Sequence, residues 1–188
     1  MSLLIAGLLL FFALHLVPAA PPLRSALVGR LGAARYKGIF SLLSFAALAV
    51  IVAGYAYSGP RDPLFAPPPW ARAYAHPAVT LAFILFAAAN MRGYLRRTLK
   101  HPMLIGVLLW SSAHFLVNGD RAGSILFGAF FAYAVVDLVS ALTRSPGTPF
   151  EPQVKFDLMA VGGGIAVTLL VMLFHRLLFG VRIASFGL

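Results

Sequence analysis

Of the five histidines in this 188-residue chain, two stand inside apolar runs, and they are the residues best suited to chemistry. His15 interrupts SLLIAGLLLFFALHL, and His114 interrupts HPMLIGVLLWSSAHFLVNGD, the stretch from His101 to Asp120. An ionisable ring deep in an apolar helix is costly, so it implies a function and a partner. Each of the two is the other's obvious intramolecular candidate. The chain has no cysteine, which excludes thiolate ligands, disulfides and iron–sulfur clusters and leaves histidine as the main metal donor. Two neutral imidazoles without a thiolate or carboxylate beside them suit bis-imidazole ligation of haem iron better than tetrahedral zinc.

Helical geometry narrows the pairing. His101 and His114 would lie about 140° apart around one helix and roughly 20 Å apart along it, so one helix cannot bring both to a small metal. The ligands must come from two helices, as cofactor sites in bundles usually do. His15 and His114 differ in expected depth by roughly 9 Å if both helices stand upright. Trp110, Ser111 and Asn118 share the helix face of His114, at i−4, i−3 and i+4. Ser111 or Asn118 would accept the hydrogen bond from the ring nitrogen that the metal does not use. The competing reading is that these polar groups only hold helices together.

The remaining polar residues carry weaker signals. His76 and His101 each precede a proline at an expected helix start, and His175 neighbours Arg176 at the outer end of the last apolar run. Asp120 with Arg121 reads as a solvated turn, Asp137 as an acid reaching for the interface, and Gly162-Gly163-Gly164 as a packing contact. Basic residues at the helix ends would meet haem propionates or, more commonly, anionic lipid.

The elements that position these residues are membrane helices. Apolar residues make up 61% of the chain and charged ones 11%, with mean hydropathy +0.90. A soluble domain has about 45–50% and about 25%. The expected fold is all-α, a polytopic bundle of about six spans forming a single domain over 1–188. The spans are expected at about 2–20, 38–57, 77–95, 103–118, 122–142 and 157–179, several near the ~20 residues that cross ~30 Å of hydrocarbon. The first run has no Lys or Arg before it, unlike a secretory signal, and reads as a retained span ended by Pro18, Pro21 and Pro22. Trp70 and Tyr74 sit where an aromatic interface belt belongs.

The net charge of +10 is best explained by membrane lipid rather than nucleic acid. Arg24, Arg30, Arg35, Lys37, Arg92, Arg96, Arg97, Lys100, Arg144 and Lys155 fall on one side of the bundle. Arg61, Arg72, Arg121, Arg176 and Arg182 fall on the other. The ten-to-five bias puts both termini on the periplasmic side.

The pattern His101-Pro102, Gly106, Trp110, His114, Asn118-Gly119-Asp120 resembles that of the NnrU family, bacterial multi-pass inner-membrane proteins linked to denitrification gene clusters. The first histidine, with the basic turn GRLGAARYKGIFSLLS that follows its span, resembles the same family. That family is similar to the plant 15-cis-ζ-carotene isomerase, a membrane enzyme that carries haem b on two histidines. By position the resemblance implies haem b ligation by His15 and His114, with His101 in the histidine-proline motif. It leaves three functions open: a haem b protein supporting nitric oxide and nitrite metabolism, a haem-dependent cis–trans isomerase of a lipophilic polyene, and a cofactor-free assembly factor. A long apolar cleft reaching the iron would favour the isomerase; a closed bundle would favour redox or accessory work.

Overall fold

The computed structural model describes residues 1–60, 62–143 and 149–179, all of it helix and connection, with an isolated bridge between Pro63 and Asp120. The helices are α1 Ser2–Leu16, α2 Pro21–Leu31, α3 Ala33–Ala56, α4 Ala71–Ala88, α5 Tyr94–Leu99, α6 Pro102–Asn118, α7 Arg121–Thr143 and α8 Val154–Phe179. Five are long and apolar enough to cross a membrane: α1 with the 3-10 turn that extends it to Ala19, then α3, α4, α7 and α8. The sixth, α6, is apolar but has 17 residues, about 26 Å at 1.5 Å per residue. The polytopic helical architecture expected from composition is what the chain forms.

Its surface and core have the composition of a bilayer protein. Leu9, Leu42 and Phe45 are 67%, 69% and 72% exposed, while Ala47, Ala82, Ala134 and Ala160 are fully buried. In lipid an outward leucine loses nothing, so helices associate by close approach of small residues instead. The chain divides into two compact units, one of 1–68 with 114–144 and one of 69–113 with 145–188. The first holds α1, α2, α3, the last turn of α6 and α7. There α1 lies along α3, and α7 touches both. Gly54 of α3 faces the backbone of Leu3 and Leu4, and Gly7 of α1 faces Ile51. The second unit holds α4, α5, most of α6 and α8. There α8 lies along α4 with Gly164 against Ile84, and Gly106 of α6 faces Phe86 and Ala82 of α4. Of the triple glycine, Gly164 makes the packing contact; Gly162 and Gly163 face open space among the described residues.

Three expectations change in detail. The third span starts at Ala71 and ends at Ala88, not at 77 and 95. Pro77 therefore lies inside α4, and His76 is a helical residue whose Nδ1 donates to the Arg72 carbonyl at 2.9 Å. The basic turn after the first span folds as α2 and the start of α3, divided by Gly32 at φ +77°. Asp120 is 8% exposed, not solvated. The segment between α3 and α4 covers it, with Leu64 N and Phe65 N donating to the Gly119 carbonyl at 2.7 and 3.1 Å and Arg121 N to the Asp62 carbonyl at 3.0 Å. Gly119 has φ +65°, and a Cβ there would run into the Phe65 carbonyl. Asp120 Oδ1 accepts from Gly123 N at 2.8 Å, an N-cap for α7. Asp120→Ala is expected to cost about 1–2 kcal/mol of stability, with Asp120→Asn close to wild type; thermal unfolding of the two variants in detergent checks it. The charge-bias count also used Arg61, Arg144 and Arg182, which lie outside the described residues.

Candidate functional site

The unit containing α1, α3 and α7 brings an aromatic cage to His15. The residue ends the last turn of α1, and its Nδ1 lies 2.8 Å from the Phe11 carbonyl, one turn back. A carbonyl only accepts, so Nδ1 carries the proton and Nε2 keeps its lone pair. The ring stacks on Phe11 at 3.9 Å, leans on Phe40 of α3 at 5.2 Å and meets the edge of Tyr133 of α7 at 6.2 Å. Tyr133 donates its hydroxyl to Asp137 Oδ2 at 3.2 Å, with the His15 carbonyl a longer second acceptor at 3.4 Å. Asp137 is half-buried one turn from Tyr133. It is thus tied to the histidine site, where sequence alone read it as an interfacial acid.

His114 meets the same helix. Its ring stacks on Phe127 at 4.8 Å, and Phe130 fills the next position, packed on Phe11 and Phe12 of α1 at 5.4 and 5.2 Å. Phe127, Phe130 and Tyr133 recur every three residues along α7, so they form one stripe about 120° wide. His114 is seated at its first ring and His15 at its last. Phe127 and Tyr133 are six residue steps apart on α7, about 9 Å along its axis.

The other candidate residues have mainly local partners. His101 caps the start of α6: its carbonyl accepts from Ile105 N at 3.2 Å, and Pro102 follows as the first helical residue. Ser111 is fully buried and donates to the Val107 carbonyl at 2.6 Å, which leaves its lone pairs as acceptors. Trp110 is half-buried on α6. Asn118 packs over Gly123 at the α6–α7 corner, where a Cβ on the glycine would come within 2.9 Å of the Asn118 Cβ. His15, His114 and Asn118 belong to the unit with α7; His101, Trp110 and Ser111 belong to the other. Among the described residues no group of three or more His, Asp or Glu gathers at metal-binding distance.

A family model for NnrU protein matches residues 3–183. The chain belongs to the NnrU family. No curated protein and no solved structure matches it. Within that family frame, haem is the cofactor to test against this site. The donor chemistry fits: a histidine whose Nδ1 is held by a backbone carbonyl presents Nε2, the usual outer-shell arrangement of a ligating imidazole. Free space fits less well. A cavity of about 170 Å³ lies between α1, α2 and α3, walled by Leu14, Val17, Leu27, Leu31, Tyr36 and Phe40. Phe11, Phe40 and Tyr133 pack directly on the His15 ring, so a macrocycle there requires these side chains to swing aside. The NnrU chain has a second feature that sequence reading missed, away from the histidine cage. Asp157 of α8 accepts Tyr94 N and Leu95 N at 2.8 and 2.9 Å, anchoring the start of the basic helix α5.

Proposed function

We propose that this NnrU-family membrane protein binds haem b through His15 and His114 and supports nitric oxide and nitrite metabolism in the bacterial inner membrane. The observation that carries the reading is the half-buried seat of His15 among Phe11, Phe40 and Tyr133, with Nδ1 held by the Phe11 carbonyl so that Nε2 keeps its lone pair for a ligand. The seating of both histidines on one aromatic stripe of α7 supports it further. Bound haem would supply one-electron chemistry at iron. The chain's own residues would hold it: His15 and His114 as iron ligands, with Asn118, in the same unit, as hydrogen-bond acceptor to the second nitrogen of His114. His101 sets the start of the helix that carries His114. Basic residues at the helix ends, Arg30, Arg35 and Lys37 among them, would pair with propionates or lipid phosphates, and the charge bias puts both termini in the periplasm.

The metabolic setting comes from the family's link with denitrification gene clusters. Polyene isomerisation would need a long apolar cleft at the iron. The family's link with denitrification gene clusters favours redox or haem-handling work. Haem content of the purified protein, measured as the pyridine haemochrome, tests the reading. About one haem per chain is expected, and none after expression with haem precursor supplied would leave the cofactor-free assembly role as the better account.

A further inference from the structure

The cavity between α1, α2 and α3 carries an inference of its own. Its volume is about 170 Å³. An apolar cavity of roughly 150 Å³ accepts benzene, so this one has room for a single six-membered ring. Its walls are aliphatic or aromatic apart from Tyr36, whose hydroxyl is buried without a hydrogen-bond partner. Leaving a buried hydroxyl unpaired is unfavourable. Water is a poor remedy, because a buried water needs about two to four polar partners and the walls supply one. An anion is poorer still, since one hydroxyl cannot offset the desolvation of a charge. A neutral carbonyl oxygen on a ring of this size would both fill the space and accept from the Tyr36 hydroxyl.

The placement of the cavity adds the second half of the ligand. Tyr36 lies in the first turn of α3 between exposed Arg35 and Lys37, at the headgroup end of the span. Ile39 and Leu43 continue the lining one and two turns further along the span, away from its charged end. A ring lodged at Tyr36 would therefore send an apolar tail along α3 into the hydrocarbon. We propose that this cavity binds the head of a membrane quinone, one ring carbonyl accepting a hydrogen bond from the Tyr36 hydroxyl. The same hydroxyl can accept from the reduced quinol. The inference goes beyond the haem reading and does not depend on it, because no wall of the cavity is a proposed iron ligand.

The test uses the full-length protein in lipid nanodiscs and a ubiquinone with a single isoprene unit, with binding followed by equilibrium dialysis. Saturable binding of about one per chain is expected. Tyr36→Phe should weaken it roughly tenfold while raising the melting temperature of the ligand-free protein, because an unpaired buried hydroxyl has been removed. Leu31→Trp, which fills the cavity, should abolish binding. His114→Ala, whose ring stacks on Phe127 and not on a wall of the cavity, should keep wild-type affinity, so that failure of the haem reading and failure of this one are separable. Uptake that merely scales with lipid, as for an acyl-chain site, would overturn the proposal. So would wild-type affinity in Tyr36→Phe.

Discussion

His15→Ala and His114→Ala are each expected to strip haem from the protein or leave it high-spin. Both imidazoles are half-buried in apolar spans, and at His15 the Phe11 carbonyl holds Nδ1 so that Nε2 keeps its lone pair for iron. Removing an axial ligand should therefore lower haem affinity by more than the roughly 10–100-fold that loss of an outer-shell partner costs. His76 is exposed and bonded to its own helix, and His175 packs on Phe179 near the end of α8. Alanine at either should leave the spectrum unchanged. His101→Ala should keep ligation, because its part at the start of α6 is played by the backbone carbonyl, which alanine retains. The absorption spectra of these five variants, at matched protein concentration, give the result.

The second large effect is expected at the α1–α3 crossing. A Cβ on Gly54 would overlap the backbone nitrogen of Leu4, and backbone cannot step aside as a side-chain tip can. Overpacking typically costs about 1–3 kcal/mol, and Gly54→Leu is expected at or above the upper end of that range. Gly163 faces open space, so Gly163→Ala should be neutral or stabilising by up to about 1 kcal/mol through helix propensity. Thermal melting of both purified variants decides it; equal melting temperatures would contradict the packing account.

The spans were legible because a bilayer-length apolar run is a signal of composition, independent of which helix it meets. Which helix it meets was not legible: Gly7, Gly54 and Gly164 look alike in the chain, and only the fold assigns them to Ile51, Leu4 and Ile84. The start of α4 was misplaced because proline usually marks a helix start, whereas Pro77 follows six helical residues. The short helices α2 and α5 lie in basic segments where no apolar period announces them. At the site, both histidines stood out in the sequence as ionisable rings inside apolar runs. Tyr133 and Asp137 stand i and i+4 on α7, but in the sequence Asp137 reads as an interfacial acid. Their role was not legible, because it depends on α1 bringing the His15 carbonyl to the Tyr133 hydroxyl.

The most direct measurement of the haem claim is the absorption spectrum of the purified wild-type protein before and after dithionite. Ligation by His15 and His114 predicts a low-spin b-type spectrum in both states, and its loss in each single alanine variant. A wild-type protein without a haem band, or a low-spin spectrum that survives in both His15→Ala and His114→Ala, would contradict it.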